Sequence, residues 1–229
     1  DLGHVTSEEP VQRLFHQGLI LGEDGRKMSK SLGNVINPDD VVDEVGADAL
    51  RLYEMFMGPV EAPKPRNTSG IDGISRFLDR LWRLVLDEEG NVRDALQDIE
   101  PTDDQARVLH ETIKKTREDV ESLSFNTAIA QFMIFVNEFT SASTVPTSAV
   151  ERFLLCLAPF APHITEELWH RLGHEGSIHL ERFPEHDQSK LVRNEVEIVL
   201  QVNSKIRSHV TVPADSGREH LEHVALSDE

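Results

Sequence analysis

The sequence predicts a mainly α-helical protein, in which a helical bundle lies between the end of an α/β domain and part of a small α+β domain. Three observations support this fold class. Apolar residues recur with helical spacing through residues 70–186, and a short apolar strand leads into a glycine-bounded loop well before them. Near the other end, apolar and polar residues alternate as they do in strands.

The first block, residues 1–36, contains a helix candidate, EEPVQRLFHQ, followed by a strand-like LIL and the loop GEDGRKMSKSLGN. A strand that leads into a loop before a helix is the arrangement in which α/β domains present ligands. We therefore assign this block to the end of an α/β domain.

The second block, residues 37–69, is predicted to be a helical connector. The run NPDD marks a helix start, because Asn37 is a good cap, Pro38 suits the first helical position, and two acids face the positive end of the helix. A second helix, ADALRLYEMFM, follows Gly46 and ends before Pro59.

The third block, residues 70–186, is predicted to form a bundle of four antiparallel helices joined by short turns. Capping boxes at Thr102 with Gln105 and at Ser148 with Glu151 mark two helix starts, and prolines separate the last helical run, HITEELWHRLG. The predicted core positions recur at helical spacing. They are Ile74, Phe77, Leu78, Leu81, Trp82, Val85, Leu109, Ile113, Thr116, Val120, Leu123, Phe125, Ile129, Phe132, Met133, Val136 and Phe139.

The fourth block, residues 187–229, changes period. In VEIVLQV every second residue is apolar, and the pattern resumes after Asn203-Ser204, which predicts a β-hairpin. The run GREHLEHVAL then predicts a helix. Because a two-stranded hairpin with one helix is marginal alone, we expect this block to be part of a larger α+β domain.

Composition excludes several classes of function. The 229 residues carry a net charge of -18, which argues against a general nucleic-acid binder, and eight acids against one arginine predict a solvated linker over residues 87–104. The histidines lack ligand spacing, so no metal site is expected. The single cysteine, Cys156, is predicted to be a core residue. Short apolar runs and the absence of a signal-peptide pattern predict a cytoplasmic protein without membrane contact.

The loop GRKMSKSLGNV places a cluster of cations in this acidic chain. Lys27 and Lys30 can aim two ammonium groups at one site, with serine hydroxyls beside them, and glycines are expected to make the loop mobile. Such an arrangement suits a triphosphate that loses pyrophosphate, although the Walker A order is absent. For the pentapeptide alone, a solvated loop rich in Lys and Ser is an equal alternative.

The surrounding sequence resembles a known family. KMSKS followed by LGNVINPDDVVDEVGADALRLYEMFMGP is similar to the class I aminoacyl-tRNA synthetases that activate Leu, Ile, Val and Met. EEPVQRLFHQGLIL and SGIDGISRFLDRLWRLV resemble the leucyl-tRNA synthetases within that branch. SFNTAIAQFMIFVNEF and LAPFAPHITEELW resemble their helical anticodon-binding domain, and VEIVLQVNSKIRSHVTVPAD resembles their C-terminal domain. The resemblance covers essentially the whole chain.

The resemblance implies a role for each residue of the pentapeptide. Lys27, Met28, Ser29, Lys30 and Ser31 form the signature loop that binds ATP, and Lys27 and Lys30 are the catalytic residues that neutralise the departing pyrophosphate. The implied reaction joins leucine to tRNA(Leu) through leucyl-adenylate, with Mg²⁺ on the ATP phosphates and no metal ligand in this chain.

The resemblance also implies what is missing. The family's His-x-Gly-His tetrapeptide has no counterpart, because His4 in LGHV does not match it. We therefore expect the C-terminal part of a synthetase, with the tail of a Rossmann-type catalytic domain, and no activity in isolation. Two alternatives stay open: a stand-alone RNA- or protein-binding module derived from a synthetase, and one subunit of a split enzyme. A monomer is expected.

Further candidate residues are those that could contact tRNA and those that could shape the helical connector. Arg76, Arg80 and Arg83 share one side of a helix, which predicts either tRNA contact or a solvated face paired with Asp72 and Asp79. Two cations at the hairpin tip, Lys205 and Arg207, are the second tRNA-binding candidate. Asn34 and the Asp48/Arg51 pair are implied to shape the connector, although Asp48 and Arg51 are equally interpreted as an i, i+3 helix pair.

Overall fold

The computed structural model describes residues 3–4, 6, 11, 13–22, 24–65, 70–191, 195–202, 205–213 and 216–227. It divides the chain into two compact units, residues 1–186 and 187–229. The first unit contains seven of the described helices, α1 to α7, in this order: Pro38–Val45, Ala47–Phe56, Ile71–Val85, Asp103–Ser122, Phe125–Ser141, Thr147–Leu157 and Pro162–Arg171. The predicted dominance of helices is confirmed.

Two short parallel strand pairs accompany these helices. Strand β1 (Ile20–Leu21) pairs with β2 (Lys64–Pro65), and β3 (Leu96–Gln97) pairs with β4 (Val145–Pro146). The predicted strand LIL is confirmed in shortened form. The helix predicted just before it is wrong where the structure describes it, because residues 11 and 13–17 contain no helix. The following residues run beside 60–64 instead, with the Gly18 N–H donating to the Val60 carbonyl at 2.7 Å.

The helix starts show which local signals hold. Asn37 caps α1 by accepting a hydrogen bond from the Asp39 N–H, and the capping box of Thr102 and Gln105 opens α4, as predicted. The second predicted capping box, Ser148 with Glu151, does not form, so this prediction is wrong. Helix α6 begins at Thr147, directly after β4, with no side-chain cap, because pairing of β4 with β3 fixes its entry. The carboxylate of Glu151 instead contacts Nε2 of His174 at 2.8 Å.

The bundle contains five helices, α3 to α7, rather than the predicted four, and α2 packs against α5. Its core is rich in phenylalanine: the rings of Phe135 and Phe153 stack 4.1 Å apart, and Phe132 packs edge-on against Phe153. The prediction that Val120 is a core residue is wrong, because this residue is 38% exposed. The acidic segment 87–104 is mostly exposed, but it forms a turn at Gly90 and strand β3 rather than an open linker.

Two side chains of helix α2 form hydrogen bonds with the turn between α6 and α7 and with the start of α7. The buried carboxylate of Asp48 accepts the Ile164 N–H at 2.8 Å and contacts Nδ1 of His163 at 2.8 Å. Arg51 donates to the carbonyls of Pro159 and Phe160 at 2.8 and 3.1 Å. Among the ion pairs within the described ranges, none joins Asp48 to Arg51, so the i, i+3 pair interpretation is wrong.

The second unit consists of a hairpin and one helix. Strand β5 (Glu195–Val202) pairs antiparallel with β6 (Lys205–Pro213), with a register shift at Leu200 and Gln201, and α8 spans Arg218–Ser227. The predicted hairpin and helix are confirmed. The turn residues Asn203 and Ser204 lie outside the described residues.

Cys156 is buried in α6, as predicted, and burial raises the pKa of its thiol to about 12. We expect a disulfide reagent to modify the folded chain at neutral pH roughly a thousandfold more slowly than a free cysteine, because the thiolate is the reactive form. The absorbance change with Ellman's reagent measures this rate. The urea-unfolded chain is the control, and rapid reaction of the folded chain contradicts the expectation.

Candidate functional site

The KMSKS loop begins with a tight turn. The Gly22 N–H donates to the Arg26 carbonyl at 2.8 Å, and Gly25 adopts the left-handed conformation, with φ of 70°, that glycine favours. This turn folds the chain back so that Lys27 forms an isolated antiparallel bridge with Leu21 at the end of β1. The short strand therefore sets the position of the first lysine of the loop.

A single 3₁₀ turn, Lys30–Leu32, completes the loop. The hydroxyl of Ser29 accepts the Leu32 N–H at 3.3 Å and lies 3.1 Å from the hydroxyl of Ser31. Gly33 ends the turn with φ of 66°. The loop thus has defined local structure, held by caps and turns, where its glycines alone predict a mobile segment.

The five residues of the signature lie in one continuous stretch. Lys27, Lys30 and Ser31 are exposed, whereas Met28 and Ser29 are half-buried. Arg26 pairs with Asp24 at 2.8 Å. Hydrogen bonds from the backbone and then the side chain of Arg26 hold the pKa of Asp24 below its ordinary value. Neither lysine forms an ion pair with a described carboxylate, so both ammonium groups are available to an anionic ligand.

Asn34 connects the parts of the loop with its carboxamide. Its Oδ1 accepts the Ser29 N–H at 2.9 Å, and its Nδ2 lies 3.5 Å from the Lys27 carbonyl and 3.3 Å from Oδ1 of Asp24. The sequence implies that this asparagine shapes the connector. The structure instead gives it contacts inside the loop.

The structure keeps the predicted arginines of α3 on one side of the helix. Arg76 and Arg83 are exposed, whereas Arg80 is half-buried and donates to Oδ1 of Asn137 at 2.5 Å. The ion pairs proposed for a solvated face are missing within the described part of the chain, and Arg83 donates to the backbone carbonyl of Asp79 instead. The described residues thus lack the ion pairs that the solvated-face alternative predicts.

Sequence reasoning missed one cation beside this face. Arg93 donates to the Arg83 carbonyl at 3.0 Å, and both line an open cavity of about 460 Å³ with Trp82. Arg93 lies in the acidic segment, where nothing in the local pattern marks it. Trp82 is half-buried against the core, and Trp169 is buried and stacks on His174, so neither is a free base-stacking platform.

The remaining RNA candidates lie in the second unit. Arg207 is exposed on β6, while the side chain of Lys205 lies outside the described residues. In the described ranges, no group of three or more His, Cys, Asp or Glu side chains has an arrangement that could hold a metal ion. The same ranges contain no helix with the length and apolar character needed to cross a bilayer.

Two known families match separate parts of the chain. The class I tRNA synthetases for Ile, Leu, Met and Val match residues 3–62, which include the KMSKS loop. The anticodon-binding domain of tRNA ligases matches residues 106–223, more than half of the chain. The chain belongs to the family of tRNA ligases that have this anticodon-binding domain. The predicted resemblance to the class I synthetases and to their anticodon-binding domain is thereby confirmed.

Individual tRNA ligases are similar to this chain over nearly its whole length. The leucine–tRNA ligases of two strains of Leptospira biflexa serovar Patoc are each 53% identical to this chain over 227 residues. The matched region is 99% of this chain and 26% of each ligase, so the chain spans about a quarter of the length of these relatives. The predicted resemblance to the leucyl-tRNA synthetases is also confirmed.

A solved structure of a related tRNA ligase has the same fold. The chain superimposes on LeuRS from Agrobacterium radiobacter K84, in a ternary complex with tRNA and LeuAMS, with a TM-score of 0.74 and 34% identity. The match covers 99% of this chain and 30% of that one. The fold class of a helix-rich chain with an anticodon-binding domain beside part of a class I synthetase is therefore established.

Proposed function

We propose that this chain forms the C-terminal part of a leucine–tRNA ligase, which joins leucine to tRNA(Leu) through leucyl-adenylate at the expense of ATP. The observation that carries the proposal is the KMSKS loop, in which two exposed lysines lack carboxylate partners among the described residues. Its support outside the loop is the 53% identity to leucine–tRNA ligases over nearly the whole chain.

In this proposal Lys27 and Lys30 stabilise the negative charge that develops as pyrophosphate leaves. Preorganised cations act most strongly where charge appears in the transition state, because they need no rearrangement at that moment. The hydroxyls of Ser29 and Ser31 add hydrogen-bond donors for the phosphates, and half-buried Met28 anchors the loop to the protein. Mg²⁺ enters with the ATP phosphates, and the described residues offer no site of their own for it.

We propose that four parts of the chain belong to different domains of the ligase. Residues 1–36 end the Rossmann-type catalytic domain, residues 37–69 connect it to the bundle, residues 70–186 form the anticodon-binding bundle, and residues 187–229 belong to a small C-terminal α+β domain. The leucine pocket and the other half of the ATP site lie in the rest of the ligase. We further propose a cytoplasmic monomer.

Leucine-dependent exchange of pyrophosphate into ATP tests this division. The intact ligase is expected to catalyse the exchange, and the isolated 229-residue chain is expected not to. Exchange by the isolated chain contradicts the division of the active site, and no exchange by the intact protein contradicts the proposed function. Exchange with another amino acid but not with leucine contradicts the substrate.

We also propose that the arginine face of α3, formed by Arg76, Arg80 and Arg83, contacts tRNA phosphates, with Arg207 and Lys205 as a separate contact on the hairpin. The exposed side chains of Arg76 and Arg83 support this, since neither has an ion-pair partner among the described carboxylates. Phosphate contacts bind without reading sequence, so this face is expected to contribute affinity rather than specificity.

The double variant Arg76→Ala/Arg83→Ala tests this face. We expect it to weaken binding of tRNA(Leu) at low salt by about tenfold and to flatten the dependence on salt, because two phosphate contacts are lost. Filter binding at low and moderate salt measures both. Lys114→Ala is the matched control, because that lysine lies on α4, away from α3, and pairs with Glu118 of the same helix. Unchanged affinity and salt dependence in the double variant contradict the proposal.

A further inference from the structure

The segment between the two lysines of the KMSKS loop has little backbone structure of its own. The turn that ends at Arg26 precedes it and the 3₁₀ turn from Lys30 follows it. Between them, Asn34 holds the chain through a hydrogen bond from the Ser29 N–H at 2.9 Å, and its Nδ2 makes a longer, weaker contact with the Lys27 carbonyl at 3.5 Å. One carboxamide therefore contacts the backbone on both sides of Met28.

The same carboxamide also reaches the preceding turn. Its Nδ2 donates to Oδ1 of Asp24 at 3.3 Å, and Asp24 in turn accepts the backbone N–H and the Nε–H of Arg26 at 3.0 and 2.8 Å. Asn34 thus joins the three parts of the loop, namely the first turn, the segment between the lysines and the start of the 3₁₀ turn. We call Asn34 and Asp24 the loop clamp.

A glycine provides an independent observation. Gly22 is buried, and a Cβ atom at this position would lie 2.8 Å from Nδ2 of Asn34 and 2.8 Å from Oδ1 of Asp24. These distances are too short for an added carbon, so the clamp occupies the space that a side chain at residue 22 would need. Close packing against the clamp, rather than an unusual backbone angle, explains this glycine.

We propose that Asn34 is a positioning residue for adenylate formation, whose carboxamide sets the backbone from which Lys27 and Lys30 reach the triphosphate. The inference rests on the proposed function of those lysines. Asn34 is half-buried, and its side chain forms hydrogen bonds with loop atoms, so it acts on the reaction through the lysines. Small errors in the position of catalytic groups are costly, because effective catalysis requires a narrow range of geometries.

Limited proteolysis measures the clamp directly, because trypsin cleaves after the lysines that it holds. In the 229-residue chain, Asn34→Ala is expected to raise the rate of cleavage after Lys27 and Lys30 about tenfold, since cleavage tracks the population of the open loop. Gly22→Ala is expected to have the same effect by pushing the clamp apart. Glu44→Ala, an exposed change on α1 outside the loop, is the matched control.

Kinetics of the intact ligase measures the consequence. Asn34→Ala is expected to lower the kcat of leucine-dependent ATP–pyrophosphate exchange about tenfold, and to leave the KM for leucine unchanged, because the leucine pocket is elsewhere. Asn34→Asp keeps the acceptor for Ser29 but places a second carboxylate beside Asp24, so it is expected to behave like alanine. The exchanged pair Asp24→Asn/Asn34→Asp restores a hydrogen bond between these positions and is expected to recover part of the rate.

The inference is overturned by an unchanged cleavage rate in Asn34→Ala, or by a faster cleavage with unchanged kcat. A loss of exchange in all variants with an equal rise in the KM for leucine also overturns it, because that pattern indicates general damage to the protein. If the unmodified intact protein shows no exchange, the proposed function fails, and the assignment of Asn34 to adenylate formation fails with it. The proteolysis still decides separately whether the clamp holds the loop.

Discussion

Lys30→Ala in the intact ligase is expected to lower the rate of leucine-dependent ATP–pyrophosphate exchange by about a hundredfold to a thousandfold. Lys30 opens the 3₁₀ turn of the KMSKS loop, its side chain is exposed, and no described carboxylate pairs with it. Its charge is therefore available for the departing pyrophosphate. A single preorganised donor at such a position contributes about 3–4 kcal/mol to the transition state.

The effect is expected mainly in kcat, because the proposed role of Lys30 is to stabilise the additional negative charge that develops on the pyrophosphate as the bond breaks. Lys30→Arg keeps the charge but changes the size and geometry of the cation, so partial activity is expected. Lys114→Ala controls for the removal of a lysine, since Lys114 pairs with Glu118 on the surface of α4. A Lys30→Ala enzyme with the kcat of the unmodified protein contradicts the proposed role.

The second large effect is expected on stability. Asp48→Ala is expected to lower the free energy of unfolding of the 229-residue chain by about 2–3 kcal/mol. Asp48 is 8% exposed, and its carboxylate accepts the Ile164 N–H at the start of α7. Its removal leaves that donor without its partner in the first turn of the helix, where backbone N–H groups have no intrahelical acceptor. Urea unfolding followed by circular dichroism measures the change.

Asp43→Ala is the matched control, because that aspartate is exposed on α1 and is expected to change stability by less than about 0.5 kcal/mol. Asp48→Asn keeps a side-chain acceptor but loses the charge beside the helix start, so an intermediate loss is expected. Equal stability of the Asp48→Ala and Asp43→Ala chains refutes the role of Asp48 as a cap for α7.

Local signals in the sequence predicted the helices well where no distant partner intervenes. Asn37 and Thr102 cap their helices as expected, because a cap needs only the next three residues. Ser148 carries the same local signal and fails. There the strand pairing of Val145 and Pro146 fixes the helix start, and Glu151 is drawn to His174.

Contacts between distant residues were beyond the reach of local patterns. Asp48 and Arg51 are three residues apart on one helix, and this spacing alone suggests an ion pair. Asp48 and Arg51 instead form hydrogen bonds with residues more than a hundred positions away in the sequence, at the turn between α6 and α7. Backbone N–H and C=O groups at helix ends readily form hydrogen bonds with such side chains, because those groups lack partners within their own helix.

The candidate site was predicted in part. The KMSKS pentapeptide and its two lysines follow from a contiguous motif, so the sequence identifies them without a structure. The clamp does not follow, since Asn34 meets Asp24 only after the chain has folded back at Gly25. Arg93 was missed because its acidic neighbours dominate the local charge.

The grip of α2 on the bundle has a mechanical consequence for the KMSKS loop. Because Asp48 and Arg51 fasten α2 to the turn between α6 and α7, that helix cannot slide or rotate without breaking five hydrogen bonds. Two connections join the loop to this anchored helix. One is α1, with residues 35–37 at one end and Gly46, whose φ is 86°, at the other; the second is strand β1, which pairs with β2 in the segment after α2. A movement of the loop relative to the bundle therefore requires bending at the ends of α1 and a matching displacement of the paired strands β1 and β2.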